Sequence, residues 1–340
     1  MNKTKVLVGM SGGVDSSVSA ALLLEAGYDV VGAFMKNWSN CDWRADQRDA
    51  TRVAARLGIP FLTLDFEAHY RQAVVDEMFA EFAAGRTPNP DILCNKYIKF
   101  DLFVKEADRL ECAYIATGHY ARSIDGLLYA GTDKNKDQSY FLWAMNPKVV
   151  SRVLFPIGEM MKPMVRDKAR ALGLEVANKK DSTGICFVGE VDMRKFLQER
   201  LPKQIGDIVT VDGVVLGQHD GLAFYTIGQR EGLGIGGGLP YYVVEKRPAT
   251  NQLVVASNYH PSLYRSALTA SHLNWFEKPA FPYACQARIR YRQELQDSVL
   301  VPLDESVLCV KFDHPQRAVT PGQSIVFYDG DKVLGGGIIE

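Results

Sequence analysis

The feature that most constrains this chain is the run Val6-Leu7-Val8-Gly9-Met10-Ser11-Gly12-Gly13-Val14-Asp15-Ser16-Ser17, near its start. Lys5 to Met10 reads as a short buried strand. Ser16 to Ala26 reads as a helix, with Val18, Ala21, Leu22 and Leu24 apolar and Gly27 as its stop signal. The turn between them carries two glycines, which let a ligand approach the backbone closely. It opens onto a helix N-terminus, where free N–H groups and a dipole of roughly half a positive charge favour an anion. Ser11, Ser16 and Ser17 add hydroxyl donors. No Gly-Lys-Ser/Thr follows the glycines, so this is not a loop that places a lysine on a γ-phosphate. Nor is the glycine spacing that of a dinucleotide fold.

Residues 1–120 alternate strand and helix. Asp29 to Met35 and Phe61 to Phe66 read as strands, as does Ala113 to Thr117. Trp43 to Leu57, Glu67 to Ala84 and Lys96 to Leu110 read as helices. Such alternation predicts an α/β fold with a doubly wound parallel sheet and a ligand at the C-terminal strand edges. Met35, Gly118 and His119 fall at such edges. From about Ile205 the pattern turns to short strands, with Asp212-Gly213 as a hairpin turn. Strands are expected at Tyr241 to Val244, Leu253 to Ala256, Cys285 to Tyr291, Ser298 to Val301, Val307 to Phe312 and Ser324 to Tyr328. The division expected is a catalytic domain over 1–203, a small central β domain over 204–262 and a barrel-like β domain over 263–340.

The chain has 340 residues and a net charge of −1. No apolar run approaches the ~18 residues of a membrane span, and the start runs straight into a strand, so a cytoplasmic protein without a signal peptide is expected. Residues 134–203 carry 14 Lys/Arg against 8 Asp/Glu, a local excess of +6. That excess fits either a phosphate-binding face or the solvated sides of two helices. None of the six cysteines forms a Cys-x-x-Cys pair, so neither a zinc ribbon nor an iron–sulfur cradle is suggested, and no protein-bound metal is expected. Cys41, Cys112, Cys285 and Cys309 read as small buried hydrophobes. Cys94 follows the proline-stiffened stretch Asn89-Pro90-Asp91 and precedes the helix expected from Lys96. A thiol there, near Lys96 and Lys99, should have a depressed pKa. Cys186 lies in the glycine-containing stretch Asp181 to Gly189.

The first loop resembles the SGGxDS loop of ATP pyrophosphatases, which split ATP to AMP and pyrophosphate. Further stretches resemble motifs of the bacterial tRNA-specific 2-thiouridylases, in order and from end to end. They are Asn89 to Asn95, Thr117-Gly118-His119-Tyr120, Lys136 to Tyr140, Asp181 to Phe187, Tyr225 to Arg230, Arg288 to Arg292 and Pro321-Gly322-Gln323. One departure is Pro240-Tyr241-Tyr242, where the family has Trp before the second Tyr.

The resemblance implies that ATP adenylates O2 of the wobble uridine in the tRNAs for Lys, Glu and Gln, and that sulfur then replaces that oxygen. It places the nucleotide on Gly9, Met10, Ser11, Gly12, Gly13, Val14, Asp15, Ser16, Met35 and Gly118. Mg²⁺ would arrive with the phosphates, and Asp15 would orient metal or phosphate. Sulfur would come as a persulfide on Cys186 from a sulfur-carrier protein or a cysteine desulfurase. Cys94 would be the second thiol, ending in a Cys94–Cys186 disulfide or assisting direct attack. Asn89, Pro90 and Asp91 would meet the target base. His119, Lys136, Asp137, Gln138, Arg290, Tyr291 and Gln323 would touch tRNA elsewhere. A monomer is expected. Two other readings remain open at this point, an adenylating ligase that shares only the loop and a non-catalytic nucleotide-binding module.

Overall fold

The computed structural model describes residues 3–39, 43–181, 192–236 and 240–340. The first four strands are β1 (Lys5–Gly9), β2 (Asp29–Lys36), β3 (Phe61–Asp65) and β4 (Tyr114–Ala116). A hairpin follows, β5 (Ala121–Ile124) and β6 (Leu127–Ala130), and then the two-residue β7 (Val153–Leu154). The parallel sheet runs β3-β2-β1-β4-β7. Val6 to Val8 are wholly buried, as a strand covered on both faces requires. Helices Val14–Glu25, Trp43–Leu57 and Lys162–Ala171 accompany the sheet.

The second region is a four-stranded sheet of β8 (Gly206–Thr210), β9 (Val215–His219), β10 (Tyr241–Arg247) and β11 (Gln252–Ser257), in the order β10-β11-β8-β9. The third contains β12 (Tyr264–Trp275), β13 (Tyr283–Arg288), β14 (Gln296–Pro302), β15 (Leu308–Arg317), β16 (Ser324–Asp329) and β17 (Lys332–Ile339). These six run β12-β15-β14-β13-β16-β17, and β12 pairs with β17 to close a barrel. The β5–β6 hairpin joins the same sheet through Lys332 and Tyr129. The N-terminal region thus contributes two strands to the C-terminal sheet.

Two sequence expectations change. The helix bearing Cys94 begins at Pro90, not after the cysteine. Asn89 is its N-cap, its Oδ1 accepting from Asp91 N and Ile92 N, and Pro90 takes the first helical position, where a missing N–H costs nothing. From Cys94 to Leu102 the same helix is π-helical. The strand expected over Cys285 to Tyr291 ends at Arg288, and Arg290 and Tyr291 lie in the turn that follows.

The three regions meet at residues 85–88. Thr87 N donates to Pro321 O (2.9 Å), and Gln323 Nε2 donates to Thr87 O (2.8 Å) and Pro88 O (3.3 Å). Arg86 pairs with Glu340 at 2.7 Å. From the central sheet, Lys246 Nζ donates to Gly85 O (3.0 Å), and burial pushes its pKa down to about 8. The loop leading into the Cys94 helix is therefore held by both β regions.

A second joint is the ion pair of Asp137 and Arg288, 3.0 Å apart with side chains 1% and 9% exposed. Asp137 Oδ1 also accepts from Gly131 N and Ser139 N, and Arg288 lies over the Tyr328 ring. Removing one partner of such a pair strands a buried charge. Asp137→Ala should therefore lose about 3–5 kcal/mol of stability in a denaturant titration. The double variant Asp137→Leu with Arg288→Met should recover part of that loss, the part due to the stranded guanidinium, while the Gly131 and Ser139 N–H groups stay unpaired. Equal losses in the two variants would mean that the pair is not what binds the regions.

Candidate active site

The turn after β1 is drawn tight by its own serines. Ser11 N donates to Ser16 Oγ (3.1 Å), and Ser17 Oγ donates to Gly13 O (2.7 Å). Gly12 sits at φ +73°, and a Cβ there would collide with Asp46 O. The helix that begins at Val14 has Gly13 as N-cap and no capping side chain. Its first N–H groups therefore remain for a ligand. Met10 and Val14 are 1% and 4% exposed, so these two positions offer backbone rather than side chain. Met35 is also buried, and its methyl occupies the space that a side chain at Gly9 would need. Gly118 presses on the loop from β4, since a Cβ there would lie 2.7 Å from Ser16 N.

Two lysines and a tyrosine to which the sequence assigned no role surround this turn. Lys162 Nζ is 2.8 Å from both Asp15 oxygens and 2.8 Å from Asp181 Oδ1. Tyr120 OH donates to Asp15 Oδ1 (2.8 Å). Burial and the Asp15 carboxylate raise the phenol pKa, so it remains a donor. Lys179 Nζ donates to Gly12 O (3.0 Å) and pairs with Asp46 and Asp49 at 2.7 and 2.6 Å. Burial alone would lower the Lys179 pKa, but these two carboxylates outweigh it and the net shift is upward. Arg166 and Lys136 also pair with Asp181, at 2.8 and 2.6 Å. Burial would raise the Asp181 carboxyl, yet hydrogen bonds from Lys136 and Lys162 pull it down to about 2. Asp15 thus holds Lys162 beside the loop. Among the described residues no group of three His, Cys, Asp or Glu is placed to hold a metal ion.

The basic excess of 134–203 is largely spent in such pairs, with Arg152 on Asp108, Lys168 on Glu25 and Arg200 on Asp76 as further cases. That favours the solvated-helix reading over a continuous phosphate track.

Cys94 lies one turn into its helix, fully buried. Lys96 is exposed and lies over the Tyr97 ring, whereas Lys99 turns inward to His119. Cys186 and Cys41 fall outside the described residues. Asn37, just past β2 and 1% exposed, has neither amide atom hydrogen-bonded, an orphaned group two residues beyond Met35. Nothing in the residue pattern distinguished it.

The residues expected at tRNA divide into two sets. Asn89, Pro90, Asp91, Lys136, Gln138, Arg290 and Tyr291 are partly exposed. Tyr291 packs on Phe141 with ring centroids 4.5 Å apart, and Arg290 donates to Ala318 O. Asp137 and His119 are buried, at 2% and 7% exposure, and Gln323 donates inward to the Thr87 loop. The side chains of Asp137, His119 and Gln323 thus make contacts within the protein.

Two outcomes test this geometry. Gly118→Ala should displace the loop at Ser16 and weaken ATP binding about tenfold or more in a nucleotide titration, with little loss of melting temperature. Unchanged affinity would separate Gly118 from the nucleotide. The second test concerns pH. Because the folded Asp181 pKa is depressed, its pairs stabilise the protein above the unfolded carboxylate value of about 4 and lose that effect as pH falls toward 2. The stability difference between the protein and Asp181→Asn should therefore shrink from pH 7 to pH 3. A constant difference would mean that the charge is not what stabilises.

Comparison with known proteins agrees with this architecture along the whole chain. The family described as the tRNA methyl transferase HUP domain matches residues 4–190, the tRNA methyl transferase PRC-barrel domain 194–257, and the aminomethyltransferase beta-barrel domain 265–339. The tRNA-specific 2-thiouridylase of Shouchella clausii is 50% identical over 351 residues, covering 99% of this chain and 96% of its own. That of Aeromonas salmonicida is 50% identical over 357 residues, covering 100% and 97%. That of Proteus mirabilis is 51% identical over 358 residues, covering 100% and 98%. With about half its residues shared over its full length with these enzymes, the chain belongs to the tRNA-specific 2-thiouridylase family.

Proposed function

We infer that this protein is a tRNA-uridine 2-sulfurtransferase that uses ATP to replace O2 of the wobble uridine with sulfur. The observation that carries the reading is an uncapped helix N-terminus at the edge of the parallel sheet, with Gly118 packed on Ser16 and the next residue, His119, reached by Lys99 of the helix that bears Cys94.

In this reading the turn Ser11–Ser16 receives the ATP phosphates on its backbone N–H groups, between Lys162 and Lys179. Asp15 and Tyr120 hold Lys162 in place, and Lys179 is fixed by Asp46 and Asp49. Uridine O2 attacks the α-phosphorus, pyrophosphate leaves, and the base carries AMP on O2. Mg²⁺ bound to the triphosphate would neutralise part of its charge on the way. Sulfur then displaces AMP, taking O2 away with it. The chain's share in that step is a thiol at Cys94 and a persulfide carrier at Cys186, the latter outside the described residues. Cys94 attack on the persulfide would release hydrosulfide and leave a Cys94–Cys186 disulfide, which balances the two electrons taken by the sulfur.

The target base must leave its stack to reach a buried thiol. Asn89 has its Oδ1 tied to the helix start, so its Nδ2 is the group left to read a uridine edge, with Asp91 beside it. Lys136, Gln138, Arg290 and Tyr291 extend the proposed tRNA face. A cytoplasmic monomer, charged with sulfur by a carrier protein or a cysteine desulfurase, completes the proposal. Among the described residues no helix is long and apolar enough to cross a membrane.

The test combines the protein with ATP, Mg²⁺, sulfide and unmodified glutamate tRNA, followed by digestion and mass spectrometry. The wild type should make 2-thiouridine from sulfide or from a persulfide donor, and Cys94→Ser should make none from the persulfide donor. Cys186→Ser should work with free sulfide and fail with a persulfide donor. Pyrophosphate release without thiouridine would mean that the loop is read correctly and the acceptor is not.

A further inference from the structure

We propose that Lys99, held by His119, is the cation that stabilises the Cys94 thiolate, and that the π-helical turn Cys94–Leu102 exists to bring the two side chains to one face. The proposal rests on Cys94 being the reacting thiol in the function above.

In an α-helix with 3.6 residues per turn, positions five apart are about 140° apart around the axis. A lysine five positions after a cysteine would then point away from it. A π-helix closes its hydrogen bonds from i to i+5, which brings residue i+5 back over residue i. Cys94 and Lys99 both lie within the π-helical segment. Cys94, Asn95, Ile98, Phe100 and Phe103 are buried and Lys99 is half-buried, whereas Lys96, Tyr97 and Asp101 face solvent. π-Helical turns are frequent at functional sites, and a second one, Arg71–Asp76, packs against this segment.

His119 supplies the second observation. Its Nδ1 is 2.8 Å from Thr117 Oγ1, and its Nε2 is 3.4 Å from Lys99 Nζ. A lysine ammonium has donors only, so Nε2 must accept and Nδ1 carries the ring proton toward Thr117. Burial, and then the charge of Lys99, push the His119 pKa well below its usual value, which keeps the ring neutral and able to accept. Phe100 and Phe155 flank the ring, with centroids 5.8 and 6.2 Å from it. His119 directly follows Gly118, whose backbone packs on Ser16, so Lys99 is anchored to the edge where the nucleotide would sit.

Among the described residues, Asp91, one turn before Cys94, opposes thiolate formation. Of the packed elements, Glu67–Tyr70 and Arg71–Asp76 carry His69, Arg71 and Asp76 exposed and Glu67 partly so, and buried phenols come from Tyr70 and Tyr140, the Tyr140 pKa raised by burial. Asp15 is paired with Lys162. A cation beside a thiol lowers its pKa, the proton passing to solvent while the ammonium keeps its own.

The test is an ultraviolet titration of thiolate absorbance in the reduced full-length protein, with Cys94→Ser subtracted. It needs no tRNA, so it stands or falls independently of the thiolation reading. In Lys99→Met the Cys94 midpoint should rise by about one pH unit or more. His119→Leu should raise it similarly, and adding Lys99→Met to His119→Leu should raise it little further. His119→Gln keeps an acceptor at the same reach and should restore most of the wild-type midpoint. An unchanged midpoint in Lys99→Met would overturn the proposal. A His119→Gln protein as impaired as His119→Leu would reduce the histidine to ring packing.

Discussion

The site depends on a helix whose first turn has no cap of its own. Gly13 stands at the position where a Ser, Thr or Asp side chain would ordinarily satisfy the first N–H groups. The remaining features of the edge protect that vacancy. Ser16 and Ser17 bond within the turn, Gly12 lets the chain pass under Asp46, and Gly118 closes against Ser16 without a side chain. An uncapped N-terminus is costly in isolation. Here it is offset by the parallel sheet, whose strands over Val6–Val8 and Val30–Phe34 are almost wholly buried.

Charge is arranged around this turn in closed groups. Asp15, Asp181, Lys162, Lys136 and Arg166 form one, and Lys179, Asp46 and Asp49 another. Each lysine is held by carboxylates and kept off alternative partners. A triphosphate would then meet cations already placed, with little side-chain entropy still to lose. The two β regions act at a distance on the second half of the site. Gln323, Pro321 and Lys246 fix the loop over 85–88, which leads directly to the Asn89 cap and the Cys94 helix. Domain packing and placement of the thiol are in this sense one interaction.

Much of this was legible in local pattern. The run Val6 to Ser17 announced strand, turn and helix because glycine, hydroxyl and apolar residues each fall where that geometry needs them. The helix Trp43–Leu57 ends where Gly58 signals a stop, while its expected cap, Asp42, lies outside the described residues. Other features rest on forces that local pattern does not carry. β17 contains Gly335, Gly336 and Gly337, a composition that argues against a strand, yet these glycines admit Asn274, Ile325 and Leu273 at close range. Lys162 reaches Asp15 across 147 residues, and no spacing rule connects them. The prolines near Cys94 suggested a loop because Pro90 was read as a stiffener rather than as the first residue of a helix. His119, Asp137 and Gln323 were assigned from resemblance to a ligand-facing role. In the structure Asp137 and His119 are buried and Gln323 bonds to the Thr87 loop, contacts that no local spacing announces.

The central claim is that the oxygen lost from uridine leaves on AMP, because the turn after β1 and the Cys94 helix work on one base in succession. The most direct measurement uses glutamate tRNA with heavy oxygen at O2 of the wobble uridine, followed by mass spectrometry of the AMP formed in a single turnover. The account predicts one heavy oxygen in AMP for each thiouridine made, and none in pyrophosphate. Thiouridine formed with unlabelled AMP would contradict it, since the nucleotide would then have activated something other than the base.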